Sequence, residues 1–424
     1  MLYFSVACSL QTPVSPNTRA SISSDGQLLT INHDGVETSV RLPGPVASIK
    51  QLPVQNPGTK NLSWRLPLAP TLEDHLSRTQ EGQTVPWSAS DLQPESPITC
   101  RTCRATIVES GTIKVWKDLP SENWAEMMEF WHCHKPHNHG HGHDSLTTSK
   151  AYGASSRISA QSGIGFIDLT SFLLSEKDVP VSAVPAMGSI FTETHFARRL
   201  LTGASQIIKS ASSPVPPNEE GSRDETPENG EAHHSPAENH PVFCQSCKSQ
   251  LGVLNDQGTS VSLFKWQVLV NEENRGSSSE PPKLSHCLSA MLLATMARSG
   301  CSKSIILPLR IQDQRAQDDS RVNGTTEYLL NIWVFNSNIT FSSTKEARSP
   351  IRAVKVFYRM VTQAEADKLL DSMTSDVQDI YLPTDAIREI IDILDSSNHV
   401  TSNNDRQLKN WKVGLLEKWV GNGG

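Results

Sequence analysis

The chain has 424 residues, a formal net charge of −7 and an apolar share of 37%. That length suits two domains or one large domain with insertions, and so low an apolar share leaves part of the chain outside any core. It carries no sustained Lys/Arg stripe to neutralise phosphates and no apolar run long enough to cross a bilayer, so neither direct nucleic-acid binding nor membrane insertion is expected.

The opening MLYFSVACSL has no basic start and no small-residue cleavage site, and reads as a strand, not a signal peptide. Residues 1–99 alternate apolar and polar positions between turn signals, which predicts an antiparallel β domain. Asp34-Gly35 marks a two-residue hairpin, and Ile22, Leu28, Val36, Val40 and Leu42 are expected on one buried sheet face.

A second region spans 100–252. RATIVESGTIKVWKDLP predicts two short strands around Ser110-Gly111. In SENWAEMMEFWHCHKP, Ser121 is a good helix cap, and Trp124, Met127, Met128 and Trp131 form one apolar helical stripe. The helix should end near Trp131, because Pro136 and several glycines follow. Two inserts, about 134–160 and 209–240, are rich in His/Gly and in Pro/Ser/Glu/Asn respectively, with too little apolar surface to offset ordering entropy. Between them, GIGFIDLTSFLL (163–174) reads as part strand and part helix start.

Residues 253–424 predict an α+β region. VSLFKWQVLV (261–270) reads as one strand. The stretch 284–300 reads as a helix capped by Ser285 and stopped by Gly300. IILPLR, EYLLNIWVFN and AVKVFYRMV read as strands. AIREIIDILDSS places Ile387, Ile390, Ile391 and Leu394 on one helical face, and WKVGLLEKWV (411–420) is a short amphipathic end.

Four of the eight cysteines sit in two CxxC knuckles, Cys100 and Cys103 in PITCRTC and Cys244 and Cys247 in VFCQSC. The two-residue spacer lets both sulfurs of a knuckle reach one ion, so the pair predicts a closed, structural zinc site. About 140 residues lie between the halves, so such a site joins distant parts of the chain. Metal-bound thiolates fit a reducing compartment, the cytoplasm or nucleus.

Cys133, flanked by His132 and His134, has three open readings: a ligand on the chain's own metal, a contact presented to a partner, or a transfer nucleophile. A position just past a helix C-terminus does not help a thiolate form. His137, His139, His141 and His143 read as a solvated insert with adventitious metal affinity. Cys287 reads as a core residue, and Cys8 and Cys301 have no visible activating partner. With no phosphate-cradling loop, GxSxG or HExxH, hydrolase and nucleotide-dependent classes have no support.

The order CxxC, LPSENWAEMMEFWHCHKP, then CQSCKSQLG followed by LFKW, resembles the HECT-like ubiquitin-protein ligase family described as binding ubiquitin-conjugating enzymes. The resemblance continues through Leu382-Pro383, Ser397-Asn398, Arg406 and WKVGLL from Trp411. It implies a transferase of the ubiquitin conjugation pathway that binds a ubiquitin-conjugating enzyme and ubiquitin and acts on protein substrates. By the HECT analogy, transfer runs through a cysteine thioester near the C-terminus. Here the last cysteine is Cys301 and the final 123 residues contain none. The candidate for a covalent intermediate is therefore Cys133, assisted by His132 and His134, while transfer by scaffolding alone stays open. The resemblance also implies an association with the metallo-β-lactamase-type endonuclease of messenger-RNA 3′-end processing. In that alternative the chain is a binding partner or inhibitor. The segment carrying Trp124, Trp131, His132, Cys133 and His134 would enter the partner's active site, with Cys133 reaching its zinc. The expected whole is an α+β protein with a β-rich N-terminal half, a structural zinc site linking the distant knuckles, and an α+β C-terminal half.

Overall fold

Alternating apolar residues near the N-terminus fold into a purely antiparallel β body in the computed structural model. The structure describes residues 3–46, 51–54, 58–69, 85–119, 160–179, 239–254, 259–270, 280–309, 328–344, 349–372, 376–402 and 405–420. The first body contains β1 (Tyr3–Ser9), β2 (Arg19–Ile22), β3 (Leu28–His33), β4 (Val36–Arg41), β5 (Gln51–Leu52) and β6 (Asn61–Pro67). β1 pairs with β6, and a second sheet runs β4-β3-β2-β5. Their shared core includes Ile22, Leu29, Ile31, Leu42 and Trp64.

Asp34 and Gly35 both take positive φ, 50° and 82°, and His33 pairs with Val36 around them, as a two-residue hairpin requires. The buried face differs from the expected set at two positions. Leu28 is 39% exposed and Val36 is 66% exposed. Leu29 opposes Val40, so it is Leu29, not its neighbour Leu28, that faces inward. Two adjacent leucines satisfy either register, and only the partner strand decides between them. Val36 has the inward parity of Val40 but lies at the turn, beyond the core.

The middle body holds the knuckles. It comprises β7 (Ile98–Cys100), β8 (Thr106–Val108), β9 (Val115–Asp118), β10 (Ile164–Ile167), β11 (Ser171–Ser175), β12 (His240–Phe243), β13 (Gln250–Leu254), β14 (Ser260–Phe264) and β15 (Val268–Val270). A six-stranded sheet runs β12-β13-β14-β11-β10-β9, and a three-stranded one runs β15-β7-β8. β8 and β9 flank Gly111 as expected, yet they pair with β7 and β10 and not with each other.

Two expectations need correction here. The run 261–270 is not one strand: a 3-10 turn at Lys265–Gln267 breaks it, so β14 stays in the large sheet and β15 crosses to the small one. The run 163–174 starts no helix. Phe172 and Leu174, both fully buried, alternate along β11, and Asp168 N–H donates to Ser171 O at 2.9 Å to close a hairpin from β10. The second insert's expected end at 240 also overlaps the first residue of β12.

The third body contains α1 (Leu284–Ser299), β16 (Lys303–Pro308), β17 (Tyr328–Phe341), β18 (Ile351–Thr362), α2 (Gln363–Leu370), β19 (Val377–Leu382), α3 (Thr384–Asn398), β20 (Gln407–Leu408) and β21 (Trp411–Glu417). Its sheet order is β19-β16-β17-β18-β21-β20, with β16 and β19 parallel. Leu288 and Leu292 of α1 and Ile390 and Leu394 of α3 pack on Ile306, Ile332, Val356 and Leu416. Ile387 is buried with them, and Ile391 is partly buried. Helix α1 stops at left-handed Gly300, whose N–H donates to Met296 O. Its N-cap is Lys283, not Ser285, which is buried within the first turn. The terminal run 411–420 supplies β21, paired with β18. Gly414 sits under α3, where a Cβ would lie 2.6 Å from Leu394 Cδ2, so the glycine permits the close helix approach.

An ion pair ties the end of β21 to the start of α1. Glu417 Oε2 lies 3.2 Å from Lys283 Nζ and 3.4 Å from His286 Nε2. The hydrogen bond from His286, then the Lys283 charge, hold the Glu417 carboxyl down to about 2 from its ordinary 4.5. A folded-state value below the unfolded one gives stability that is complete above about 4.5 and lost as pH falls through about 2. The side chain is 31% exposed, so screening reduces the effect to about 1–2 kcal/mol. Urea titrations should show Glu417→Gln less stable by that amount at pH 7, with the difference shrinking as pH is lowered below about 4.5.

Candidate metal centre

Each knuckle is the tip of a hairpin, and the two have the same backbone construction. In the first, between β7 and β8, Cys100 N–H donates to Ala105 O at 2.8 Å and Arg104 N–H donates to Cys100 O at 2.9 Å. In the second, between β12 and β13, Cys244 N–H donates to Ser249 O at 2.8 Å and Lys248 N–H to Cys244 O at 2.9 Å. The residue after each second cysteine is left-handed, Arg104 at φ 64° and Lys248 at φ 62°. Neither is glycine, so each turn holds about 1 kcal/mol of local strain against its paired hydrogen bonds.

These two tips face each other. Cys100 Sγ lies 3.6 Å from Cys247 Sγ, Cys103 Sγ lies 3.5 Å from Cys244 Sγ, and all four sulfurs fall within 4.8 Å of one another. Both close pairs are far beyond a sulfur–sulfur bond of about 2.05 Å. A tetrahedral ion with sulfurs at about 2.3 Å requires edges of about 3.8 Å, which this cluster meets with small adjustment. Cys100 and Cys244 are buried, Cys247 is half-buried and Cys103 is exposed.

Burial pushes the Cys100 thiol up to about 12, whereas the Ser249 side chain and backbone hold Cys247 down to about 6. A cation at the centre is what would allow all four sulfurs to be thiolates. The donor set therefore fits one soft divalent ion. Four sulfurs around one ion would leave no coordination position for water or substrate, so an ion held here would be structural.

The centre joins the two sheets of the middle body at one end, since β7 belongs to the small sheet and β12–β13 to the large one. Arg101, inside the first knuckle, donates from Nη1 to Pro282 O at 2.6 Å, just before α1. It also lines a cleft of about 580 Å³ with Trp266, Lys283, Glu389 and Glu417. The first knuckle is thus in direct contact with the third body.

The structure brings together all four knuckle cysteines. Trp124, Trp131, His132, Cys133 and His134 lie outside the described residues, as do the histidine run 137–143 and nearly all of the two inserts. Cys287 is fully buried, and burial pushes its thiol up to about 12, which suits a core residue. Cys8 and Cys301 are half-buried. Sequence reasoning missed Ser249, whose Oγ lies 3.3 Å from Cys247 Sγ. Its signal was its position, a hydroxyl two residues after the last ligand in CQSCKS.

A strand-rich α+β chain whose distant segments are closed by four cysteines defines a class by architecture. Within it, the chain belongs to the family described as HECT-like ubiquitin-conjugating enzyme (E2)-binding, which it matches over residues 3–413. An uncharacterized protein of Schizosaccharomyces pombe is 23% identical over 341 residues, covering 79% of this chain and 78% of its own length. An uncharacterized protein of Saccharomyces cerevisiae is 40% identical over 52 residues, 12% of this chain and 15% of its own. No solved structure matches.

Proposed function

We propose that the chain binds a ubiquitin-conjugating enzyme and promotes transfer of ubiquitin to protein substrates, from the cytoplasm and nucleus. The observation that carries this reading is the family match, which spans residues 3–413 and so includes both knuckles and the segment between them. In this reading zinc fills the four-cysteine centre and serves folding. Transfer falls to the LPSENW–WHCH segment, with Cys133 as the candidate catalytic thiol and His132 and His134 as its proton acceptors.

Four sulfurs complete a tetrahedral ion without Cys133. That favours the two outward-directed readings of Cys133 over a ligand on the chain's own metal. The second of them is capture of the 3′-end-processing endonuclease, with Cys133 directed at its zinc.

Cys133→Ala separates the two. Under the ligase reading, purified chain charged by a conjugating enzyme forms a reducible ubiquitin conjugate that the variant loses entirely. Under the endonuclease reading, the variant loses affinity for that enzyme and ubiquitin chemistry is unchanged. A folded wild-type chain that captures neither partner defeats both.

A further inference from the structure

The sheet of the third body has one face filled by α1 and α3. On the other, among the described residues, α2 covers one end, where Ala366 packs with Ile305, Leu329 and Val361. The remainder carries an aromatic cluster. Trp333 opposes Phe357 across β17–β18 with ring centroids 5.2 Å apart. Phe335 is 4.9 Å from Phe357, and Trp411 is 6.0 Å from Trp333. Phe335 is 55% exposed, and Trp333 and Trp411 are half-buried.

Cations stand over these rings. Lys303 Nζ is 5.6 Å from the Trp333 centroid, Lys355 Nζ is 5.7 Å from Phe335, and the Arg359 guanidinium is 4.8 Å from Trp411. Arg359 is paired with Glu365 at 2.8 Å. Asp379, on the edge strand β19, is exposed. Among the described residues neither Lys303 nor Lys355 has a carboxylate partner.

A second, independent observation lies beside the rings. Asn331 is 2% exposed, and its Oδ1 accepts no hydrogen bond. It pairs across the sheet with Arg359, whose Nε is also buried without an acceptor. A buried acceptor and a buried donor on cross-strand partners cost free energy, which is recovered when the Arg359 side chain swings off the rings and a polar ligand edge reaches them.

We propose that this face binds single-stranded nucleic acid, with bases displacing the Lys303, Lys355 and Arg359 side chains from the faces of Trp333, Phe335 and Trp411, and the freed Lys303 and Lys355 ammonium groups turning to the phosphates. Every nucleotide offers a base π-face to the rings, a backbone phosphate to the flanking ammonium groups, and a donor–acceptor base edge to Asn331 and Arg359. An acidic peptide supplies the charge and a donor–acceptor backbone but not a flat ring on every residue for stacking. The surface escaped the expectation drawn from the sequence because its cations come from separate strands, β16 and β18, and form no stripe along the chain.

The test uses the full-length chain and a fluorescein-labelled 15-mer of oligouridine, read by anisotropy at two salt concentrations. Wild type should bind in the micromolar range, with log affinity falling against log salt by about 0.7 per phosphate held. Trp333→Ala and Phe335→Ala should each weaken binding roughly 10-fold or more, as expected for loss of one stacked base. Lys355→Gln should weaken it and reduce the salt slope by about 0.7. Phe335 is exposed and Lys355 is half-buried, and thermal melting checks that both variants keep the fold. A folded wild type that binds nothing at low salt overturns the proposal. So does equal or tighter binding of duplex, unchanged affinity in the Phe335 and Lys355 variants, or full competition by polyglutamate.

Discussion

Stripping the metal from the folded chain is expected to unfold the middle body. Elemental analysis should find one zinc per chain, and a strong chelator should remove it together with the cooperative melting transition of that body. The physical reason is the centre's position. Its ligands come from hairpin tips on two sheets that share one core, so loss of the ion leaves four thiols, two of them buried, with nothing to hold the tips together at that end. Structural zinc contributes about 10–16 kcal/mol in isolated small metal-folded units, as much as the whole stability of an ordinary domain. Even partial loss of that term is large. Cys244→Ser, which removes a buried ligand, should therefore cost at least about 5 kcal/mol. Cys301→Ser is the control, being half-buried and outside the cluster, and should stay within about 0.5 kcal/mol of wild type. Metal-free protein with an unchanged melt, or a Cys244→Ser variant as stable as the Cys301→Ser control, would overturn the structural assignment. Acid should mimic the chelator, because each sulfur must lose a proton to bind the ion.

How much of this arrangement could be read from the chain depended on the range of the interactions. Local rules carried far. The Asp34-Gly35 hairpin, the Gly300 helix stop and the Ile387–Ile390–Leu394 stripe each follow from a few neighbouring residues. The knuckles were legible because CxxC spacing is itself local chemistry, and only their convergence needed three dimensions. The failures share a different cause. Whether Leu28 or Leu29 faces inward is decided by β4, and whether 261–270 is one strand or two by the existence of a second sheet. WKVGLLEKWV has the apolar content of either element, and becomes β21 because the edge of β18 is there to receive it. Lys265 is the clearest case. Nothing local in LFKWQ announces a lysine with no solvent exposure, because its burial arises from two sheets closing over the turn between β14 and β15.

That closure rests on Phe172, and Phe172→Ala should be the most damaging core substitution in the middle body. The ring is fully buried between Trp87, at 5.9 Å and nearly parallel, and Trp116, at 5.2 Å. Deleting a buried phenyl group costs about 3–5 kcal/mol, in lost transfer energy and in the cavity that rigid neighbours cannot fill. Here an additional loss applies. The Lys265 ammonium stands 5.6 Å over the same ring and donates to Pro86 O, so the ring face adds to the attraction of Asp168, Asp118 and Asp91 in holding a buried charge. Burial lowers the Lys265 ammonium to about 8, which leaves it mostly charged at pH 7. A double-mutant cycle between Phe172→Ala and Lys265→Met should therefore return a coupling of about 1 kcal/mol at pH 7. The coupling should fade as pH rises through 8, because a neutral amine is drawn far less strongly to the ring. A cycle that closes to zero at pH 7, or a coupling that does not change up to pH 9, would remove the charge from the account and leave Phe172 as packing alone.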